Sequence, residues 1–207
     1  MQWSRRALLL TGGVALPAFA FENRIVDLRP ELDGVPYGAR TAVPEGVGEG
    51  TALKGCPPPF KAARPAPNCF SSFIDPKKDR DHYYKPFKYN KDEKEAMNEL
   101  LAAVKAYPPG QANIDAGGWK LVRNDDRYIY VQYESGKIGY LDDLEFLMDP
   151  ETKSVNVRSA SRAGFLDFGV NAKRINWYAK YLRNLGWETT DVTPDNYRFY
   201  FKQNGTE

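Results

Sequence analysis

The chain has 207 residues, enough for one ordinary domain with extensions. Its 29 Lys and Arg residues nearly balance its 27 Asp and Glu residues, and aromatic residues make up 14% of the sequence. This composition is typical of a folded globular protein, and the lack of a basic excess argues against nucleic-acid binding. Residues 1–20 contain two arginines and no acid, so the remaining sequence has no net charge.

The first twenty residues have the pattern of an export signal. Arg5 and Arg6 precede an apolar run, and Ala18 and Ala20 form a small-x-small cleavage site near its end. The paired arginines resemble a twin-arginine signal, which exports folded proteins. The apolar run, residues 7–21, has 15 residues, whereas a spanning helix needs roughly 20. A cleaved signal is therefore favoured over a membrane anchor, and no stable span is expected after cleavage.

Twin-arginine export leads to the bacterial periplasm or to the thylakoid lumen of chloroplasts. A nuclear-encoded lumenal protein carries a chloroplast transit peptide ahead of such a signal, and residues 1–20 contain none. The alternatives are a bacterial chain, a plastid-encoded chain or a start that omits the transit peptide. The signal therefore indicates export and leaves both compartments open.

Residues 21–90 are predicted to form an extended arm, because ten of the fifteen prolines lie between Pro30 and Pro86. The arm contains both cysteines, Cys56 and Cys69. An even number in an exported chain predicts a disulfide, whose 14-residue loop would stabilise the fold by roughly 3 kcal/mol. The spacing does not fit a zinc site, and reduced thiols are the remaining alternative.

Aromatic residues cluster in the second half of the arm, from about Asn68 onward. Aromatic side chains are costly to leave in water, so this half is expected to lie across the folded domain. The part before Cys56 is expected to be mobile. The cluster consists of Phe70, Phe73, Tyr83, Tyr84, Phe87 and Tyr89. His82 lies among them and is expected to be a packed or surface residue.

Residues 91–190 are predicted to contain a helix, four strands and a second helix. The first helix begins near Lys91, with Asn90 as its N-cap, and ends before Pro108. The strands, separated by polar turns, are Trp119–Arg123, Tyr128–Tyr133, Gly139–Met148 and Ser154–Ala160. The second helix is predicted at Ala172–Leu185.

Consecutive strands joined by short turns form an antiparallel meander. The sequence therefore predicts an α+β fold, in which a four-stranded antiparallel meander has a helix before it and a helix after it, both packed on one face. The Pro/Gly-rich arm precedes this domain. Residues 191–207 are predicted to be a C-terminal tail, with Tyr197–Lys202 as a possible edge strand.

The sequence lacks the motifs of familiar catalytic sites. GxGxxG, P-loop, HExxH and CxxCH patterns do not occur, and without His82 no Ser-His-Asp or Cys-His arrangement exists. No catalytic residue, cofactor or metal is therefore expected. Acidic residues follow one another on the third strand, but without the spacing of a calcium site. A solvated or salt-bridged face is predicted for Asp142, Asp143, Glu145 and Asp149.

The stretch RSASRAGFLDFGVNAKR, residues 158–174, links the last strand to the second helix. Alternation along the strand places Arg158 and Arg162 on one face and the two serines on the other. These arginines and the helix start would suit an anion. The candidate anion-binding residues are Arg158, Arg162, Asp167, Asn171 and Arg174. The alternative is a structural corner in which Asp167 accepts from the arginines and the helix start.

Several motifs together resemble one protein family. The segments PNCFSSF, DDLEFLMDP and VNVRSASRAGFLDFGVNAKRI are similar to the domain of unknown function 1499 family, over roughly Ala66 to Thr190. The resemblance implies a bacterial or chloroplast protein with no established reaction, substrate or cofactor. The cysteine-containing arm and the twin-arginine start resemble the algal members of the thylakoid lumen.

These features favour a non-catalytic, soluble thylakoid-lumen protein that binds or helps to assemble a photosynthetic membrane complex. The expected partner is a protein complex at a membrane surface, because the aromatic arm suits draping over another protein. The bacterial periplasm is the alternative compartment. An anion or small-molecule binding module is the second hypothesis, and an enzyme that uses Asp167 as a base is the third.

Overall fold

The computed structural model has the α+β class that the sequence predicts. It describes residues 21–25, 42–57, 66–137 and 139–207. The predicted signal residues Arg5, Arg6, Ala18 and Ala20 lie outside the described residues. Among the described residues, no helix is both long enough and apolar enough to cross a membrane.

The strands and α-helices of the described residues lie between Cys69 and Asn204. The elements are β1 (Cys69–Ser71), β2 (Phe87–Lys88), α1 (Glu93–Ala106), β3 (Gly118–Asn124), β4 (Tyr128–Glu134), β5 (Leu141–Asp149), β6 (Ser154–Ser161), α2 (Val170–Arg183) and α3 (Arg198–Asn204). The predicted bounds of α1, α2 and the four long strands lie within two residues of these, because periodicity and turn residues define those elements locally.

The sheet is antiparallel and has six strands in the order β1-β6-β5-β4-β3, with β2 also paired to β6. The prediction of four strands missed β1 and β2, which come from the arm. Both pair with β6, which would otherwise present an unpaired edge. Their two or three residues are too few to produce a readable alternation in the sequence.

The helix face of the sheet, the face covered by α1 and α2, carries the main core. Alternation along β4 sends Ile129, Val131 and Tyr133 into this core. The expectation that the second half of the arm, from about Asn68 onward, lies across the domain is confirmed for most of its aromatic side chains, although Phe73 remains exposed. The buried arm aromatics are Phe70, Tyr84, Phe87 and Tyr89. Each such side chain contributes roughly 1.5–3 kcal/mol by burial.

The back face of the sheet, opposite the helices, is covered by residues 42–57. Val47 and Leu53 of this segment form a second apolar cluster with Tyr128 and Tyr130 of β4. The Cys56–Cys69 disulfide, which the sequence predicts, joins the segment to β1. The expectation of a mobile chain before Cys56 missed this packing, because the packing depends on tyrosines distant in sequence. Residues 26–41, to which the same expectation applies, lie outside the described residues.

The first helix is capped by a different residue from the predicted one. The Asp92 carboxylate accepts hydrogen bonds from the N–H groups of Lys94 and Glu95, so Asp92 is the N-cap, not Asn90. Both residue types are favourable caps, and in the structure the side chain of Asp92 makes the capping bonds. Met97, in the first turns of the helix, is buried in the main core.

The prediction of an edge strand at Tyr197–Lys202 is wrong, because this segment caps and begins the helix α3. The alternating aromatic residues look like a strand pattern. In the structure Tyr197, Tyr200 and Phe201 recur at helical spacing and pack together on the main core.

Candidate functional site

Residues 158–174 form a buried polar corner between β6 and α2. The arginine, serine, aspartate and asparagine side chains of this corner are almost all inaccessible to solvent. A buried polar group is costly unless it is hydrogen-bonded. The partners of these side chains therefore decide whether the corner is a binding site or a structural element.

Arg174 lies at the centre of the helix side of this corner. Its Nε and Nη2 atoms donate to the two carboxylate oxygens of Asp115 at 2.9 and 2.5 Å. Nη2 also donates to Asp142 at 2.7 Å, and the guanidinium carbon lies 4.5 Å from the centre of the Tyr133 ring. Burial alone would lower the pKa of Arg174, but the two carboxylates hold that pKa well above its usual value.

Asn171 connects the arm, β6 and α2 through its side-chain amide. Its Nδ2 atom donates to Asp167 at 2.7 Å and to the carbonyl oxygen of Asn68 at 2.9 Å. Its Oδ1 atom accepts from Ser159 at 2.6 Å and from Arg174 at 2.9 Å. Every polar atom of the side chain is therefore used, so the residue stabilises the corner.

Asp167 caps the start of α2. Its carboxylate accepts from the N–H groups of Gly169 and Asn171 at 3.1 and 3.0 Å, and from the Tyr200 hydroxyl at 2.7 Å. The predicted bond to the helix start is confirmed, whereas within the described chain Asp167 bonds to none of the arginines. Burial raises the pKa of Asp167, and these hydrogen bonds partly oppose the increase.

Arg158 and Arg162 lie on the back face, as the alternation predicts. Arg158 bonds to Glu145 at 3.2 Å, its direct neighbour across β5 and β6. Arg162 donates to both oxygens of Asp143 at 2.9 and 2.7 Å. The structure thus separates these two arginines from Asp167, Asn171 and Arg174, and does not bring the predicted anion-binding residues together.

The acidic residues of β5 are salt-bridged rather than solvated. Asp142, Asp143 and Glu145 are buried and face arginines. Their alternation is as predicted, because Asp142 points to the helix face and the other two point to the back face. Asp149 instead accepts from backbone N–H groups in the turn after β5.

A cleft of about 840 Å³ opens beside the helix side of the corner. Its walls come from three loops, with lining residues at 113–116, at 135–137 and 140, and at 163–168, and from the start of α2. Its floor includes side chains of the corner network. These floor residues are Asp115, Asp142, Ser161 and Asp167.

Aromatic side chains stand exposed around the cleft. Phe168 is 66% exposed, Phe165 47% and Tyr140 41%. Phe168 also adopts a left-handed backbone conformation with φ of 55°, which is uncommon for a bulky residue. The sequence prediction missed the cleft, since its walls lie far apart along the chain. The only local feature of the sequence that could have indicated the cleft is a pair of phenylalanines in a polar, glycine-containing loop.

Asp142 is the most unusual ionisable group of the cleft. Burial raises its pKa to about 6, against the lowering effect of Arg174 and with a further raising effect of Asp115. The guanidinium of Arg174 is shared between the carboxylates of Asp142 and Asp115. Ser161 also donates a hydrogen bond to Asp142.

His82 lies outside the cleft and is buried, in agreement with the prediction of a packed or surface residue. Its Nδ1 atom lies 2.8 Å from the Asp79 carboxylate, and Nε2 lies 3.2 Å from the carbonyl oxygen of Ala66. In the described ranges, no group of three or more His, Cys, Asp and Glu side chains is arranged to hold a metal ion.

The fold and the corner define an α+β domain whose most distinctive sequence motif forms a buried network of ion pairs and amides. The chain belongs to the family described as a protein of unknown function, DUF1499, whose model matches residues 60–182. The resemblance noted from the motifs is thereby confirmed at the level of the family. No match is found among curated proteins.

Proposed function

We propose that this protein is a non-catalytic binding protein and that a small molecule with an apolar body occupies the cleft. The observation that carries the proposal is the cleft itself, with a volume of about 840 Å³ and many apolar side chains in its walls. Ligand cavities commonly have volumes of roughly 300–1,000 Å³ and combine apolar walls with a few polar groups. The carboxylates of the floor supply such polar groups.

Binding is favoured over catalysis because the polar side chains beside the cleft already bond to one another. A general base needs a lone pair directed at its substrate. Asp167 instead accepts from the start of α2, from the Asn171 amide and from the Tyr200 hydroxyl. The structure gives no support to an anion-binding site at the arginines, because each of them is already paired with a carboxylate. These arginines are Arg158, Arg162 and Arg174.

A substitution that fills the cleft tests this function. Ala163 lines the cleft, so Ala163→Trp would occupy part of its volume. Val122→Trp places the same side chain at an exposed position of β3 as the matched control. In a titration with the uncharged dye Nile red, we expect saturable binding to the wild type and the control, and at least about tenfold weaker binding to Ala163→Trp. Equal binding to all three proteins would contradict the proposal.

We also propose that the protein acts after export, in the thylakoid lumen or alternatively in the bacterial periplasm. The signal pattern of residues 1–20 supports export. The Cys56–Cys69 disulfide is consistent with it, because structural disulfides persist mainly in oxidising compartments.

Association with a photosynthetic membrane complex remains part of this proposal, and the exposed Phe165 and Phe168 support it as an apolar contact surface. Blue-native fractionation of thylakoids tests the association. We expect the wild type to migrate with a complex and the double variant Phe165→Ser, Phe168→Ser to migrate as a monomer. Val122→Ser, at another exposed apolar position, is the control. Migration of the wild type only as a monomer would contradict the association.

A further inference from the structure

Resting on the proposed ligand site, we infer that the cleft selects an organic cation, an ammonium or guanidinium group on an apolar body, and that this group binds beside Asp142. The cleft combines a carboxylate floor with an aromatic rim. Carboxylates attract a cation by charge, and aromatic faces attract it through the ring quadrupole.

The charges beside the cleft do not balance. Asp115, Asp142 and Asp167 lie on its floor, and Arg174 is the guanidinium that faces the first two of them. Lys137 stands at the exposed rim. Carboxylates therefore outnumber cations at the floor, and a positively charged ligand group would reduce this imbalance.

Asp142 is the floor carboxylate that a ligand can reach. Its side chain is 11% exposed, compared with 2% for Asp115. Asp115 already accepts two bonds from Arg174 and one from the Tyr107 hydroxyl. Asp167 is surrounded by the donors at the start of α2. Asp142 bonds only to Arg174 and Ser161 within the described chain.

The aromatic rim provides a second and independent reason for a cation. Phe165, Phe168 and Tyr140 line the cleft and remain largely exposed, although such side chains are usually buried. Clustered aromatic side chains are a common arrangement for binding quaternary ammonium groups. The apolar walls would hold the body of the same molecule.

Three probes with one tail and different head groups test the charge preference. They are octyltrimethylammonium, octyl glucoside and octyl sulfate, each below its micelle concentration, in competition with Nile red. We expect the ammonium probe to bind about five- to tenfold more tightly than the glucoside and the sulfate to bind most weakly. Equal binding of the three, or strongest binding of the sulfate, would overturn the charge preference and leave the cleft proposal intact. If no probe displaces the dye and the dye itself does not saturate, the proposed function fails as well.

Two variants locate the cation. Asp142→Asn should lower the affinity for the ammonium probe to that for the glucoside and leave the glucoside affinity unchanged. Because this change also removes a partner of Arg174, Lys137→Glu provides a variant at an exposed position. It should strengthen ammonium binding severalfold, whereas Lys120→Glu on β3, also exposed, should not. Equal effects of the two lysine changes would overturn the placement of the cation in the cleft.

Discussion

At the scale of single residues, Asn171 shows why the hydrogen bonds of the corner require one particular residue type. Its amide acts as donor and acceptor at once, so it links the Asp167 carboxylate to Ser159 and Arg174. A carboxylate of the same shape offers acceptors only. The residue type is therefore determined by the direction of its hydrogen bonds as well as by its size.

Replacing Asn171 by Asp is expected to destabilise the protein by about 3 kcal/mol, because it removes the donor to Asp167 and places two carboxylates together in a buried site. Chemical denaturation measures the change. Asn98→Asp makes the same substitution at an exposed position of α1 and should alter the stability by no more than ~0.5 kcal/mol. Similar losses in both variants would contradict the structural role of Asn171.

Asp142 makes stability depend on pH in a defined direction. Its pKa in the folded protein is about 6, above the usual value of about 3.9 for an unfolded chain. The folded state therefore binds the proton more tightly, and its contribution to stability is present at low pH and lost as the pH rises through about 6.

The free energy of unfolding should consequently include a term that falls by roughly 2 kcal/mol between about pH 4.5 and about pH 7.5. Asp142→Asn should remove this term, which denaturation curves at several pH values would reveal. Asp126→Asn, at an exposed turn position, should follow the wild type. A wild type and an Asp142→Asn variant with identical pH profiles would show that Asp142 does not have the raised pKa.

At the scale of elements, the described part of the arm belongs to the sheet rather than being an appendage to it. β1 and β2 cover the edge of β6, and residues 42–57 cover the back face. The N–H group of Gly48 donates to Glu145 at 3.1 Å, so the segment also helps to satisfy the buried ion pairs beneath it. The disulfide holds the segment to β1.

Reduction of the disulfide is expected to lower the stability by about 3 kcal/mol and to loosen the segment over the back face. Denaturation with and without dithiothreitol measures the first effect. Hydrogen exchange at Gly48, whose N–H group bonds to Glu145, measures the second. A Cys56→Ser variant should not respond to the reductant. If the wild type is equally insensitive, the disulfide does not contribute in this way.

The sequence predicts the elements well where local chemistry decides them. The four long strands and two long helices follow from alternation, helical spacing and turn residues. The short strands β1 and β2 and the helix α3 were missed because tertiary contacts decide them. The aromatic side chains of α3 alternate as in a strand, and only their packing on the core selects the helix.

The site was less predictable than the fold. The faces of Arg158 and Arg162 follow from strand alternation, but the pairing of Arg158 with Glu145 depends on the register between β5 and β6. Asp115 lies in an irregular segment with no motif around it and still becomes the main partner of Arg174. Such partners depend on contacts in the folded chain and cannot be predicted from the spacing of residues along the sequence.

At the scale of the whole molecule, the sheet separates two polar layers with different roles. The back-face layer carries the buried pairs of Arg158 and Arg162, and Gly48 bonds to it through Glu145. The helix-side layer, centred on Arg174, reaches the cleft through Asp142. The polar stretch that looked like a site is thus mainly a corner, and the place suited to a ligand lies beside it.

The most direct test of this account is an NMR titration of the ¹⁵N-labelled protein with octyltrimethylammonium. Ligand binding in the cleft predicts saturable shifts of the amide signals of Gly136, Tyr140 and Gly164, which line it, and little change at Gly48 and Tyr128 on the back face. Shifts centred on the back face, or no shifts at the cleft residues, would contradict the assignment of the cleft as the ligand site.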